Sequence, residues 1–351
     1  MDAFLVHLED RAQQKHIQRN PFLLGELALS KELRDTWVHH FEIRRPEKTP
    51  YSQQVINRPL NNLVSDEDRA AIVETCASVG LDEAAAFSMI TTWGWKIAQA
   101  PRHAKRILSI GSSTGTEMLL LRALFPHAEL QGVDYDLSIP AKWRATLKFG
   151  DLREQHLEEY LAARPKSFDL IFSNHTLEHL STPDQTLRLV RAALKTGGTL
   201  VSALPLEGDT SNPFHSDLLA IAEGRREFDP QFDIEFLTPS HAWKTNREDL
   251  AATLSASGFT DIQIIARANF PSNNSSLHVS QFRRQRSVGK LLERVTLQAI
   301  RRSLRIAYPG EVPYQVARVY YALANRCWFS RMRMLLNLTH EVVFVATTTD
   351  D

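Results

Sequence analysis

The stretch RILSIGSSTGTEMLLLRALF, residues 106–125, decides the fold. Its first five residues are a short apolar run that predicts a buried strand, and residues 116–125 have the pattern of a helix. The loop between them, GSSTG, contains only small residues, so backbone can approach a ligand closely. Because the loop opens onto a helix N-terminus, its free amides favour a carboxylate or phosphate. This order predicts the first ligand-binding unit of a parallel sheet.

Short apolar runs and helical stretches alternate from residue 105 onward, which is typical of an α/β sheet. We expect a second strand that ends at Asp134 and a short third strand that ends near Asp151. A helix is predicted over 183–194 and another, capped by Thr245, over 246–257. Further strands are predicted over 168–174, 199–205, 261–266 and 340–347. The fold class is therefore a Rossmann-like sheet of about seven strands, mostly parallel, with helices on both faces.

The chain divides into a core and additions. In the N-terminal addition, Ser65 followed by Asp68 predicts a helix start, and a second helix is expected from near Asp82 to before Pro101. The predicted segments are an N-terminal helical extension (1–104), the core (105–270) with a lid-like insertion (206–244), a basic helical insertion (271–339), and the last strand with its tail (340–351).

Composition excludes several classes of protein. The 43% apolar and 23% charged fractions are typical of a globular protein, and no run approaches the roughly 18 apolar residues of a membrane span. Two cysteines, far apart, form no disulfide framework and no thiolate metal site. The N-terminus mixes acids and bases and does not resemble a secretory signal. We therefore expect a cytoplasmic protein.

The zero net charge hides a basic segment. Residues 281–335 contain twelve Lys and Arg against two acids, and 287–306 have the pattern of a basic amphipathic helix. Such a helix can cap the sheet, or it can lie on an anionic membrane and place the protein at the inner membrane surface. A phosphate-bearing substrate is a third alternative. Nucleic acid is weakly supported, because the whole chain is neutral and contains no nucleic-acid-reading motif.

Polar residues follow several strands where each ends. Parallel sheets bind ligands beyond the carboxyl ends of their strands. Asp134 can accept hydrogen bonds from both hydroxyls of a ribose, and Asp151 can accept one from the exocyclic amine of a base. The fourth strand leads into Asn-His-Thr-Leu-Glu-His, residues 174–179, where a substrate would meet a cofactor.

Five segments together resemble the successive motifs of class I S-adenosylmethionine-dependent methyltransferases, in the methyltransferase type 11-like subgroup. They are ILSIGSSTG, GVDYD, FGDL, FDLIFSNHTLEHL and ALKTGGTLVSALP. The segment HAWKTNREDLAATLSASGF is similar to the family's approach to its last helix and strand. The resemblance covers about 105–266 and the final strand. No single motif is specific, and the signal lies in their order and spacing.

The resemblance implies S-adenosylmethionine as the cofactor and a set of contacts to it. They are Gly111, Ser112, Ser113 and Gly115 at the methionine, Asp134 and Tyr135 at the ribose, Asp151 and Leu152 at the adenine, and Ser173 and Asn174 near the sulfonium. Two positions depart from the family: Ser109 stands where an acid is usual, and Ser113 where glycine is usual. A dinucleotide site is disfavoured, because the loop lacks G-x-G-x-x-G.

The resemblance does not decide which histidine removes the proton from the methyl acceptor. The candidates are His175, His179 and His241, with His215 as a further one; His175 is favoured by position, and ordinary helix-start hydrogen bonds are the alternative for each. Some relatives carry E-x-x-E-H after this strand and bind a divalent cation. Here His175 replaces the first Glu, and because magnesium prefers oxygen no metal is expected; a His/Glu set would suit zinc or manganese better.

The predicted reaction is methyl transfer to an O or N atom of a small molecule, a glycan or a lipid-linked intermediate. One alternative is a non-catalytic binding protein that keeps the fold. Another is a nucleic-acid methyltransferase, which would bind RNA or DNA with a steep salt dependence. The sequence predicts no oligomeric state.

Overall fold

The computed structural model describes residues 49–55, 64–180, 182–206, 208, 220, 225, 241, 243–266 and 341–349. The basic insertion 271–339 lies wholly outside these ranges and the lid-like insertion 206–244 mostly so, and the first 48 residues of the predicted N-terminal extension also lie outside them. His215 and the basic segment 281–335, with its amphipathic pattern over 287–306, are among the residues outside the described ranges, so both stay predictions.

Within the described ranges, eight strands form one sheet in the order β1-β7-β8-β6-β5-β2-β3-β4. All neighbours are parallel except β8, which runs antiparallel to both β6 and β7. The strands are β1 Ser52–Val55, β2 Arg106–Ile110, β3 Glu129–Asp134, β4 Leu152–Glu154, β5 Phe168–Asn174, β6 Leu194–Pro205, β7 Thr260–Ala266 and β8 Glu341–Thr347. The predicted α/β class and mostly parallel sheet are confirmed, and the described part of the chain adds an eighth strand, β1, from the predicted helical extension.

The helices cover both faces of the sheet. They are α1 Asp66–Ser78, α2 Glu83–Met89, α3 Trp95–Ile97, α4 Thr116–Leu124, α5 Ala141–Leu147, α6 Leu157–Ala162, α7 Pro183–Ala193 and α8 Arg247–Ala256; a wider turn, Ile90–Gly94, joins α2 to α3. One apolar cluster contains Ile107 with α1 and α4, and the other contains Leu108 with α6, α7 and α8. Adjacent strand residues therefore belong to opposite cores, as expected for a sheet buried on both sides.

Several predicted elements match closely. The Ser65 hydroxyl accepts from the Asp68 amide, 3.1 Å away, and so caps α1 as predicted. The strands predicted over 106–110 and 168–174 have those bounds in the structure. The cap of α8 is one residue later than predicted: the Asn246 side chain, not Thr245, accepts from the Asp249 amide. Asn and Thr are both good caps, so composition alone does not choose between neighbours.

The third predicted strand was wrong in its position. Part of the run predicted to extend toward Asp151 instead belongs to α5, which follows Pro140 and ends at Leu147. The next residue, Lys148, has a left-handed conformation with φ +47°. Alanine, lysine and arginine in this run favour a helix once proline has fixed the entry angle. The strand follows as β4, where Glu154 pairs with Asp134 in register. Asp151 therefore precedes β4 and does not end a strand.

No helix in the described ranges is long and apolar enough to cross a bilayer. Trp243, which lies within the predicted lid-like insertion 206–244, is 2% exposed and belongs to the core on the α7 and α8 face.

Candidate functional site

The loop Gly111–Gly115 connects β2 to α4 at the carboxyl edge of the sheet. Gly111 has φ +77°, and a Cβ there would overlap the Thr176 hydroxyl after β5. Gly115 has φ +86°, and a Cβ there would lie 2.9 Å from Ile139. Both positions need glycine for its conformation and for its lack of a side chain. The loop is therefore held close to the ends of neighbouring elements, with its backbone at the edge.

Ser113 carries a conformation that favours glycine. Its φ is +33°, in the left-handed region, at a position where the resemblance expects glycine. Its amide donates to Asp134 Oδ2 at 2.8 Å, and its carbonyl accepts from the Ser138 amide at 3.0 Å. These two bonds hold the loop in place although serine strains the backbone. The departure at Ser113 therefore leaves the loop's geometry intact.

Asp134 ends β3 and connects the loop to the next turn. Oδ2 accepts from the Ser113 amide and Oδ1 accepts from the Asp136 amide at 3.1 Å. A carboxylate has about four acceptor positions, so these bonds are compatible with ribose hydroxyls as further donors. Tyr135 packs edge-on against His156, with ring centroids 5.2 Å apart. Asp134 thus ends the second predicted strand, as expected, and its contact with a ribose stays a prediction.

Asp151 has partners that the sequence did not indicate. Its carboxylate forms ion pairs with Arg153 at 2.6 Å and with Arg164 at 3.0 Å. The Arg164 guanidinium also lies over the Tyr160 ring, 3.8 Å from its centroid. Leu152 begins β4 beside Gly132. Asp151 therefore fastens the β4 edge to α6, and an adenine contact by Asp151 or Leu152 stays a prediction.

A buried polar network lies at the end of β5. The Lys96 ammonium, on α3, donates to Asn174 Oδ1 at 2.8 Å, and Asn174 Nδ2 donates to Glu117 Oε1 at 3.3 Å. Lys96 is 1% exposed and Glu117 is 9% exposed. Burial raises the pKa of the Glu117 carboxyl to about 7, although its hydrogen bonds and the charges of Lys96 and His175 oppose the shift. Asn174, predicted near the sulfonium, thus connects a buried amine to a buried acid.

His175 has a strained backbone and a carboxylate partner. Its φ is +52°, and its amide donates to Ala203 O at 2.8 Å. Its Nδ1 lies 3.0 Å from Glu178 Oε1, while the side chain is 37% exposed. A buried acid that holds one imidazole nitrogen orients the ring toward the site, as a general base requires. The favoured proton acceptor therefore has a partner that positions it.

Glu178 is fully buried and surrounded by imidazoles. Burial alone would raise the pKa of its carboxyl, but the hydrogen bond with His175 and the charges of His175, His241 and His179 lower it to about 2. The Trp243 amide donates to the Glu178 carbonyl at 2.9 Å, which brings the segment after β6 to this turn. The His179 and His241 rings meet edge to face, with centroids 4.8 Å apart. The structure thus brings the three predicted histidines together around one acid.

Two serines that the sequence analysis singled out lie inside the sheet: Ser109, which departs from the family pattern, and Ser173, which is predicted near the sulfonium. Ser109 and Ser173 are fully buried, and neither hydroxyl has a hydrogen-bond partner among the described residues. Ser112 donates its hydroxyl to the Ser109 carbonyl at 2.9 Å, which steadies the start of the loop. Ser173 directly precedes Asn174, so its hydroxyl lies close to the edge but within the strand.

Sequence reasoning missed Lys96 and Glu117. Both stand in apolar helical runs, GWKIA and TEMLLL, where a charged residue is unusual. That contrast was a usable signal for each residue alone. Their link through Asn174 depends on packing between α3, α4 and β5, which no local pattern contains.

Comparison with known protein families assigns the chain to one family. A family model for a methyltransferase domain matches residues 86–264, about half of the chain. The match spans the loop, Asp134, the network around Asn174 and the histidine cluster. The chain belongs to this methyltransferase-domain family. A search of curated proteins finds no match.

Solved structures give weaker similarities. A phosphoethanolamine N-methyltransferase of Haemonchus contortus is 15% identical with a TM-score of 0.43; the match covers 79% of this chain and 57% of that one. The YcgJ protein of Bacillus subtilis is 15% identical with a TM-score of 0.47, over 74% and 98% of the two chains. An S-adenosylmethionine-dependent methyltransferase of Archaeoglobus fulgidus is 18% identical with a TM-score of 0.38, over 70% and 87%. At these values they carry no argument about substrate, and the assignment rests on the family match.

Proposed function

We propose that the protein transfers a methyl group from S-adenosylmethionine to an oxygen or nitrogen atom of its acceptor. The observation that carries the proposal is the hydrogen bond, 2.8 Å long, from the Ser113 amide to Asp134. It holds the loop Gly111–Gly115 beside the acid that would bind the ribose, at the carboxyl edge of the sheet. The family match places this arrangement in a methyltransferase domain.

The residues present fit this cofactor. Gly111 and Gly115 let the loop pack closely against Thr176 and Ile139 at the sheet edge. The backbone amides of the loop and of the first turn of α4 can receive a carboxylate there. Asp134 offers a carboxylate to ribose hydroxyls. Asn174 would lie near the sulfonium, with Glu117 behind it, whose carboxyl would complement a positive charge above its pKa of about 7. When bound, the cofactor supplies an activated methyl group.

The chain's own residues align the acceptor and remove its proton. His175 would accept the proton of a hydroxyl or amine acceptor, and Glu178 would hold the ring in place and stabilise its charged form. Lys96 fixes the Asn174 side chain from the opposite side. A histidine held in position to accept a proton supports an oxygen or nitrogen atom as the methylated atom. The choice of a small molecule or glycan as the acceptor is supported by the sequence alone. A contact of segment 281–335 with an anionic membrane is supported by sequence alone.

Transfer of tritiated methyl groups tests the proposal. The full chain is incubated with labelled S-adenosylmethionine and a panel of hydroxyl and amine acceptors, including glycans. We expect labelled product, and a rate about 100-fold lower for His175→Gln, since general base catalysis contributes about that much. The cofactor affinity of His175→Gln should stay unchanged. His127→Gln, which replaces an exposed histidine just before β3, should have the wild-type rate.

Two results would contradict the proposal. No labelled product from any acceptor, together with no binding of S-adenosylmethionine, would favour a binding protein that keeps the fold without the reaction. Labelled product with equal rates for wild type and His175→Gln would remove the role given to His175.

A further inference from the structure

Three side chains that can bind a metal meet beside the end of β5. Glu178 and His179 lie in the turn Leu177–His179, and His241 lies in the segment between β6 and α8. Each of the three offers one ligand atom, and these atoms all lie within 4.8 Å of one another. We call them the His–His–Glu cluster. Two elements far apart along the chain therefore supply one compact set of ligands.

Glu178 provides an independent sign that a cation belongs there. Its side chain is 0% exposed, and Oε1 is engaged by His175. Oε2 is buried and has no hydrogen-bond partner among the residues that the structure describes. Buried polar atoms are nearly always paired, and buried charges are paired or coordinate a metal. A cation held by Glu178 and the neighbouring imidazoles would give Oε2 the partner that the described residues do not supply.

We propose that Glu178, His179 and His241 together bind one divalent transition-metal ion, Zn²⁺ or Mn²⁺. Two imidazoles and one carboxylate suit these ions, whereas Mg²⁺ prefers oxygen ligands alone. Bonds to such an ion are about 2.0–2.2 Å long, so the ligand atoms have to approach one another by roughly 1 Å on binding. Rotation of the half-buried imidazoles can provide this movement. The bond from the Trp243 amide to the Glu178 carbonyl keeps His241 beside the cluster meanwhile.

The ligand set differs from what the sequence motif suggests. From the sequence no metal is expected, because His175 stands where an oxygen ligand would be needed. In the structure His175 binds Glu178 Oε1 and is outside the cluster, and His241 is the third ligand instead. Glu178 would then hold the ion through Oε2 and position His175 through Oε1.

The ion would act on the acceptor. Three protein ligands leave at least one coordination position open, as in catalytic zinc sites. This step rests on the proposed function: an oxygen atom of the acceptor would occupy the open position, and the ion would orient the acceptor and favour its deprotonation. Acceptors that carry an oxygen ligand close to the methylated atom would be preferred.

Metal binding is measured without cofactor or acceptor. The full chain is freed of metal with a chelator and titrated with ZnCl₂ or with MnCl₂. The bound ion is quantified by elemental mass spectrometry. We expect one ion per chain. His241→Ala and Glu178→Gln should each weaken metal binding by at least about tenfold, because even the loss of a residue that only hydrogen-bonds to a metal ligand typically costs that much. His103→Ala, an exposed histidine, should bind as wild type does.

The result is separate from that of the methyl-transfer proposal. His241→Ala is the decisive variant, because its ring is only partly buried and circular dichroism can verify its fold. Wild-type protein that binds neither ion, or His241→Ala that binds as tightly as wild type, would overturn the metal site. Binding of S-adenosylhomocysteine to the metal-free protein, measured in parallel, reports on the cofactor site alone.

Discussion

Replacement of Glu117 by glutamine gives a quantitative test of the buried network. Glu117 lies in the first turn of α4, 9% exposed, and Asn174 donates to it while Lys96 donates to Asn174. Burial raises the pKa of its carboxyl from 4.5 to about 7. The folded protein thus binds this proton more tightly than the unfolded chain does. Its contribution to stability is fully present below pH 4.5 and is lost as the pH rises through 7.

The size of the effect follows from the difference between the two pKa values. At about 1.4 kcal/mol per unit, the shift corresponds to roughly 3 kcal/mol of unfolding free energy lost between pH 4.5 and pH 8. Glutamine has the shape of the protonated acid and does not titrate. The Glu117→Gln variant should therefore keep its stability in the range where wild type loses it, and should be more stable than wild type by up to about 3 kcal/mol at pH 8 relative to pH 5.

Urea denaturation of both proteins at pH 5, 6, 7 and 8 measures this difference. Groups that do not interact with Glu117 titrate alike in both proteins and cancel, so the difference reports on Glu117 and on the charges coupled to it, Lys96 and His175. Glu154→Gln, the same substitution at an exposed acid at the end of β4, serves as the matched control. A flat difference, or a variant that becomes less stable than wild type as the pH rises, would refute the reasoning. It would mean that Lys96 compensates the carboxylate fully.

Two further predictions concern the loop. Ser113→Gly should raise the unfolding free energy by about 1 kcal/mol, because glycine tolerates φ +33° and serine does not, whereas Ser113→Ala should give no such gain; thermal denaturation of both variants measures the difference. Gly111→Ala should cost at least about 2 kcal/mol in the same assay, since its Cβ would overlap Thr176. Gly197→Ala is the control: its φ is also positive, at +71°, but a Cβ there meets no atom within 4 Å, so a similar loss in both variants would contradict the steric argument.

Much of the sheet could be predicted from the sequence because its central strands are continuous apolar runs. Residues 106–110 and 168–174 carry that pattern and have those bounds as β2 and β5. The edges were harder. β1, Ser52–Val55, is four residues long in a proline-rich stretch, and its pairing with β7 is a long-range contact that local pattern does not reveal. β4 is three residues long, and part of the run before it, which we predicted as the strand, belongs to α5.

The candidate site divides in the same way. Gly111, Gly115 and Asp134 could be placed because loop and strand end are set by local sequence. Asp151 could not, since its partners Arg153 and Arg164 depend on how α6 packs beside β4. The meeting of Glu178 with His241 likewise requires the segment after β6 to return to the end of β5. Residues fixed by local geometry are predictable, and residues fixed by the packing of distant elements are not.

The central claim is that the loop and Asp134 form a cofactor site, and calorimetric titration with S-adenosylhomocysteine tests it most directly. We predict one site per wild-type chain. Asp134→Asn, which retains an oxygen for the Ser113 amide, should weaken binding by at least about tenfold, because charged hydrogen bonds to the ribose are lost. Asp184→Ala, an exposed acid of α7, should bind as wild type does. No binding by wild type, or equal binding by wild type and Asp134→Asn, would contradict the account.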